Sequence, residues 1–241
     1  IFYGDLTLGN VDHVNVLSPV RNQNQPKPCG ASWAFALAGA MSDQFNSIRS
    51  LEFPEVVLSP QMLLTCHSTS TNKTCKYSNS IEDADLVNTL DRLKEYGISD
   101  ESCNNWHSND QETCSNLNKC KDCANGENIH NEPNCFSRDY HSYKLKSYED
   151  ISNDKGVKKD EAVIRTALIS ALNKSGPVMC NIKHSEDLFN SRISQPDLYT
   201  EGQTLIDYGT WVSVVGFIDS PKNTDKTKDV NNLWVVKLSF G

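Results

Sequence analysis

No apolar run in the 241-residue chain approaches the roughly 18 residues of a membrane helix, which argues against direct membrane insertion. Positive charge is the scarcer sign: 23 Lys+Arg face 31 Asp+Glu, a formal net charge of −8 with a pI of about 5.2. That balance speaks against nucleic acid or an anionic membrane as the main partner. There is no internal repeat. The chain starts at Ile1 with no charged-then-apolar leader, so a processed or trimmed product is expected. Mean hydropathy is −0.53, polar for a globular protein. Four Trp, eight Tyr and eight Phe still suffice for a core, so global disorder is not expected. The length suits one large domain or two lobes around a shared cleft.

Cysteine, by contrast, is plentiful. Nine are spread along the chain, mostly in Asn-, Ser- and Lys-rich surroundings that read as loops. Structural cysteines in such number fit an oxidising compartment. The sequons Asn72-Lys73-Thr74 and Asn173-Lys174-Ser175 agree, as glycosylation candidates. The dense stretch from Cys103 to Cys135 contains Cys120-Lys121-Asp122-Cys123, half of a zinc-type ligand set. A second C-x2-C or a spaced His pair does not follow, so disulfides are favoured over metal. A redox pair is disfavoured because no strand leads into a helix there.

Residues 1–28 read as irregular, limited by Pro19, Pro26 and Pro28. The clearest helix is 32–50, with Trp33, Ala34, Leu37, Ala38, Met41, Phe45 and Ile48 at helical spacing, expected to be central and buried. Ser59 and Pro60 mark a second, short helix. A third is expected over 81–96, with Leu86, Val87, Leu90 and Leu93 on one face and Gly97 as its stop. Residues 100–135 look like a long tethered loop, and 158–174 is another helix, ended by Ser175-Gly176-Pro177. Three β-branched and aromatic runs then predict strands at 178–182, 211–217 and 233–238, with 219–232 as a hairpin-type connection. Helices dominate the first part and strands the second, which predicts an α+β fold with two lobes.

Around residue 30 stands Asn22-Gln23-Asn24-Gln25-Pro26-Lys27-Pro28-Cys29-Gly30-Ala31-Ser32-Trp33-Ala34-Phe35. It resembles C-G-S-C-W-A-F, the nucleophile segment of papain-family cysteine peptidases. Further anchors follow in family order. Leu58-Ser59-Pro60-Gln61 leads to Cys66, Gly176-Pro177-Val178 opens a strand, and Val212-Ser213-Val214-Val215-Gly216-Phe217 is similar to the strand carrying the catalytic His. Trp234-Val235-Val236-Lys237-Leu238-Ser239-Phe240-Gly241 resembles the segment carrying the catalytic Asn. Within the family, Gly97-Ile98-Ser99-Asp100-Glu101-Ser102-Cys103-Asn104-Asn105-Trp106, the later cysteines and the extra loop between Gln23 and Cys29 are similar to the cathepsin Z branch.

The resemblance implies a single papain-like domain over 1–241, with a helical lobe at about 29–140 and a β-rich lobe made of about 141–241 together with the N-terminal segment. It also implies further strands after residue 241, so the C-terminal strands are expected to be missing from this chain. It places the nucleophile at Ser32, the base at Thr210 and the orienting amide at Leu238, with Phe240 at the shielding Trp. All three triad members are thus expected to be replaced. Only the oxyanion-type Gln23 is retained. Thr210 cannot serve as a base, so Ser32 lacks the partner a hydroxyl nucleophile needs. The six histidines, His13, His67, His107, His130, His141 and His184, match none of the catalytic positions and are read as surface or loop residues. Loss of nucleophile or base from such a triad lowers the rate on the order of 10⁶. The cleft is expected to be altered as well. Lys76, Tyr77, Ser78 and Asn79 follow Cys75 where the family carries Gly-Gly, and Asn24 replaces the loop His that engages a substrate carboxylate.

The resemblance implies the disulfides Cys29–Cys75, Cys66–Cys114, Cys103–Cys120 and Cys123–Cys135, each worth roughly 2–4 kcal/mol, and leaves Cys180 unpaired in this chain. No cofactor or metal is implied. The expected function is that of a catalytically inactive homologue in the secretory pathway, extracellular, at the cell surface or in a lysosome-like lumen, serving other proteins as part of a larger assembly. Two alternatives remain: a decoy that binds peptides or inhibitors in the cleft, and a residual peptidase using Ser32.

Overall fold

The computed structural model describes residues 17–50, 52–68, 75, 83–125, 133–154, 157–183, 209–218 and 233–241. Helix α1, Ser32–Ile48, is buried without a break from Trp33 to Asp43. Ala34, Ala36, Ala38, Gly39 and Ala40 make this possible, because their small side chains let neighbours close in on every face. The helix stops at Ile48, two residues short of the sequence expectation. Arg49 and Ser50 turn back there, donating to the Phe45 and Ser47 carbonyls at 3.0 and 3.1 Å.

Helix α2, Pro60–Met62, starts as its sequence dictates: Pro60 occupies the first turn and the Ser59 hydroxyl accepts from the Met62 amide at 3.0 Å. It runs directly into a π turn, Leu63–His67, all of it buried. Helix α3, Asp83–Glu95, turns Leu86, Leu90 and Leu93 onto the core of α1. Val87, expected on that face, is exposed instead. At one residue per 100°, it falls beside the stripe rather than on it. Gly97 ends the helix with φ +73°, and a Cβ there would run into Ser142 and the Tyr143 carbonyl.

The stretch 100–135, expected as a long loop, is more ordered than its sequence suggests. It holds a short helix, α4, Asn116–Lys119, capped by Ser115, and then strand β1, Lys121–Asn125, which pairs antiparallel with β2, Pro133–Ser137. Cys123 faces Cys135 across this ladder and the two are bonded. A covalent cross-strand link replaces the apolar face a free hairpin would need, so the segment carries no alternating pattern. Two-residue strands β3, Asn153–Asp154, and β4, Val157–Lys158, follow.

Helix α5, Glu161–Ser175, ends at Gly176, whose φ is +93°. It lays Leu168 and Leu172 on the antiparallel sheet of β5, Val178–Ile182, β6, Thr210–Ile218, and β7, Leu233–Lys237, in the order β5-β6-β7. The connection 219–232 lies outside the described residues. Two hydrophobic cores result. One is built on α1, α2, the π turn and α3; the other lies between α5 and the sheet. They meet where α1 packs across β6, and Trp211 belongs to the first core although it stands on β6. The fold is α+β as expected, although 100–135 holds a helix and a strand pair and the helix expected over 158–174 begins at Glu161, after β4.

A buried ion pair fastens the junction. Lys237 Nζ on β7 lies 2.6 Å from Asp43 Oδ2 on α1, and it also donates to the Ser18 hydroxyl at 3.0 Å. The Ser18 amide and hydroxyl both donate to the other Asp43 oxygen at 2.6 Å.

Candidate functional site

Of the sequence-predicted site residues, Ser32 and Thr210 stand at the α1–β6 contact, and Gln23 and Leu238 stand at the end of β7. Ser32 is the first residue of α1, and its hydroxyl oxygen accepts the Trp211 backbone N–H at 3.1 Å. Thr210 immediately precedes Trp211, is buried, and pairs with Ile182 of β5 in the ladder. Leu238 follows β7 directly and joins the core of the sheet. Gln23 is 2% exposed, and its side chain accepts from the Ser239 hydroxyl at 2.6 Å while its backbone N–H donates to the Ser239 carbonyl at 2.9 Å. An antiparallel bridge between Asn22 and Phe240 continues that contact. Asn24 is partly buried, and its backbone N–H donates to the Asn22 side chain at 2.9 Å. Tyr77, Ser78 and the sequon residue Asn72 lie outside the described residues.

The chemistry available here is limited. The start of α1 presents the positive end of the helix dipole, which favours an anion at residue 32. A serine hydroxyl stays neutral there, and its oxygen is already engaged by Trp211. Thr210, next to Trp211, carries a hydroxyl, and Leu238 turns an aliphatic side chain to the core of the sheet. Between Phe35, Ala36, Trp211, Leu238 and Ser239 the free space is about 10 Å³, room for about one water molecule. A larger open groove of about 380 Å³ lies beside the loop after Gln23, between Asn22, Gln25, Pro26, Phe35, Glu101 and Trp106. Phe35 and Trp106 meet edge to face in its wall, with centroids 4.7 Å apart. Arg21 pairs there with Glu101 and lies over the Phe35 ring.

All four expected disulfides are present: Cys29–Cys75, Cys66–Cys114, Cys103–Cys120 and Cys123–Cys135. Cys120 and Cys123 therefore spend their thiols on different partners, which leaves no ligand pair for zinc at that motif. Cys180 is free on β5, opposite Val212, and burial pushes its thiol pKa up.

His67 corrects the sequence expectation that the histidines are surface or loop residues. It closes the π turn, is 2% exposed, and neither ring nitrogen has a hydrogen-bond partner of normal geometry among the described residues. Burial first, then the Arg92 guanidinium, lowers its pKa to about 4; the Gly97 main chain acts in the opposite direction and Lys119 adds to the lowering. Arg92 is held in place by donating to the Cys66 carbonyl at 2.9 Å. The residue type alone does not mark His67 as buried. Its neighbours Leu63, Leu64 and Cys66 are the signal, since a turn so apolar carries its last residue inward too.

The described residues form two packed cores, one helical and one built on an antiparallel sheet, that meet along α1 and β6. Residues 9–241 match the papain family cysteine protease profile, and the chain belongs to that family. It is 33% identical over 174 residues to cathepsin Z of Onchocerca volvulus, covering 72% of this chain and 48% of the relative. The chain thus spans about half the length of that curated relative. Among solved structures it is similar to the digestive procathepsin L2 proteinase of the Tenebrio molitor larval midgut, with a TM-score of 0.60 at 20% identity, covering 94% of this chain and 56% of that one. The digestive procathepsin L 3 of the same larval midgut gives 0.59 at 21% identity, covering 94% of this chain and 57% of that one. These structural likenesses are to the fold.

Proposed function

We propose that this cathepsin Z-like chain is a catalytically inactive member of its family, a pseudoprotease that acts through protein contacts in a larger extracellular or luminal assembly. The observation that carries the reading is the Ser32 hydroxyl at the head of α1, which meets a main-chain N–H from β6 where the family mechanism needs an imidazole. Thr210 stands at the base position and Leu238 at the orienting position. The retained Gln23 has its carbonyl oxygen tied to Ser239. Four disulfides and two sequons support the secretory setting. The test is restoration. Ser32→Cys together with Thr210→His and Leu238→Asn should gain peptide hydrolysis that none of the single changes gives. Hydrolysis by the unaltered chain, abolished by Ser32→Ala, would overturn the reading in favour of a Ser32 peptidase.

The open groove beside the loop after Gln23 supports a second reading, a decoy that binds peptides or inhibitors. Binding of small cystatin-like inhibitors, lost on filling that groove with Asn22→Trp, would favour it. A stoichiometric assembly whose contacts avoid the groove would favour the first.

A further inference from the structure

We propose that Asn173 carries an N-linked glycan, which closes the outer face of helix α5 to protein contact. The inference rests on the secretory reading above and goes beyond it by fixing the residue, the face and the consequence. Asn173-Lys174-Ser175 is an acceptor sequon, and it forms the last turn of α5. All three residues are exposed. Leu168 and Leu172 point from the same helix into the core, whereas Val163, Thr166, Ser170 and Asn173 fall three or four residues apart along its exposed side. A glycan on Asn173 therefore projects from the solvent stripe and disturbs neither Leu172 nor the Gly176 turn.

The helix also dates the event. Transfer requires the sequon to be presented in a non-helical conformation, so the sugar is added before α5 folds. The donor is a lipid-pyrophosphate-linked oligosaccharide. A bond forms between the Asn173 side-chain nitrogen and the first sugar carbon as that carbon's bond to the pyrophosphate oxygen breaks. The lipid pyrophosphate leaves with the electron pair and the amide nitrogen gives up one proton to the transferring enzyme. Once in place, the branched sugar stands over Ser170 and Thr166. A close-packed partner cannot then reach that face, which leaves other surfaces for assembly.

The experiment uses the full chain secreted from a eukaryotic cell behind a cleavable leader, and only molecules recovered from the medium with the four disulfides formed are mapped. N-glycans are removed enzymatically in heavy-oxygen water, which converts each occupied Asn to labelled Asp. The peptide containing residue 173 should carry the label. Asn173→Gln and Ser175→Ala should each remove one glycan from the intact mass, and Lys174→Arg, which keeps the sequon, should not. An unlabelled Asn173 in secreted, disulfide-bonded protein overturns this inference while leaving the secretory reading intact. A chain that reaches the medium only with its cysteines reduced overturns the secretory reading and this inference with it.

Discussion

The Ser32 hydroxyl oxygen accepts a hydrogen bond from the backbone N–H of Trp211 across 179 residues of sequence, at 3.1 Å. The contact joins the head of α1 to β6. It also sets what residue 32 can become. Ser32→Cys alone places a thiol at a helix N-terminus with no imidazole beside it among the described residues. The helix lowers its pKa modestly. Alkylation at residue 32, read by peptide mapping so that the free Cys180 is counted separately, should follow a single thiol titration with no acid limb, and peptide hydrolysis should stay at background. A bell-shaped pH–rate profile for the single variant would show that another residue supplies the base.

His67 makes the helical core acid-sensitive. Its folded-state pKa of about 4 lies below the ordinary 6.5, so the fold prefers the neutral ring. The unfolded chain therefore binds more protons between those values, and stability must rise with pH there. The contribution is complete above about pH 6.5 and is lost as pH falls towards 4, amounting to about 3 kcal/mol. Denaturant midpoints measured from pH 7 to pH 4 should fall steeply in the unaltered chain and less so in His67→Gln. Equal slopes in the two proteins would rule out His67 as the cause.

The Asp43–Lys237 pair should behave as a buried pair does. Asp43 is fully buried, and burial lowers the Lys237 pKa against the raising effect of Asp43. Lys237→Met leaves the Asp43 charge inside without its cation and should lose about 3–5 kcal/mol. Adding Asp43→Leu should recover much of that loss. Urea unfolding of the single and double variants measures the coupling directly, and additive losses would mean the two side chains act independently.

Removing Cys29–Cys75 tests how the head of α1 is held. The bond ties Cys29, just before Ser32, to Cys75, 46 residues further along the chain, and the Gly30 amide donates to the Cys75 carbonyl at 3.0 Å. Replacing both cysteines by Ser should lower stability by roughly 2–5 kcal/mol. Hydrogen exchange should rise first at the amides of the opening turn of α1. Unchanged protection there would place the stabilisation elsewhere.

Elements with strong local signals were legible in the sequence. The apolar spacing of α1, the Ser59 cap, the Gly97 and Gly176 stops and the three β-branched runs each specify their own structure. The β1–β2 hairpin was not legible, because the Cys123–Cys135 bond holds it and its residues are polar. The burial of His67 was hidden for a related reason: a polar side chain went inward on the strength of its apolar neighbours. The site was the least legible in local terms. Ser32, Thr210, Leu238 and Gln23 occupy four separate segments: the packing of α1 on β6 sets Ser32 beside Thr210 and Trp211, and Gln23 pairs with Ser239, the residue after Leu238. Only likeness to a known family could gather them beforehand.

The most direct measurement of the inactive reading is a comparison of two proteins on one diverse peptide library, sampled by mass spectrometry across acid and neutral pH. The unaltered chain and Ser32→Ala should give the same background of uncut peptides. Cleavage by the unaltered chain that disappears in Ser32→Ala would contradict it.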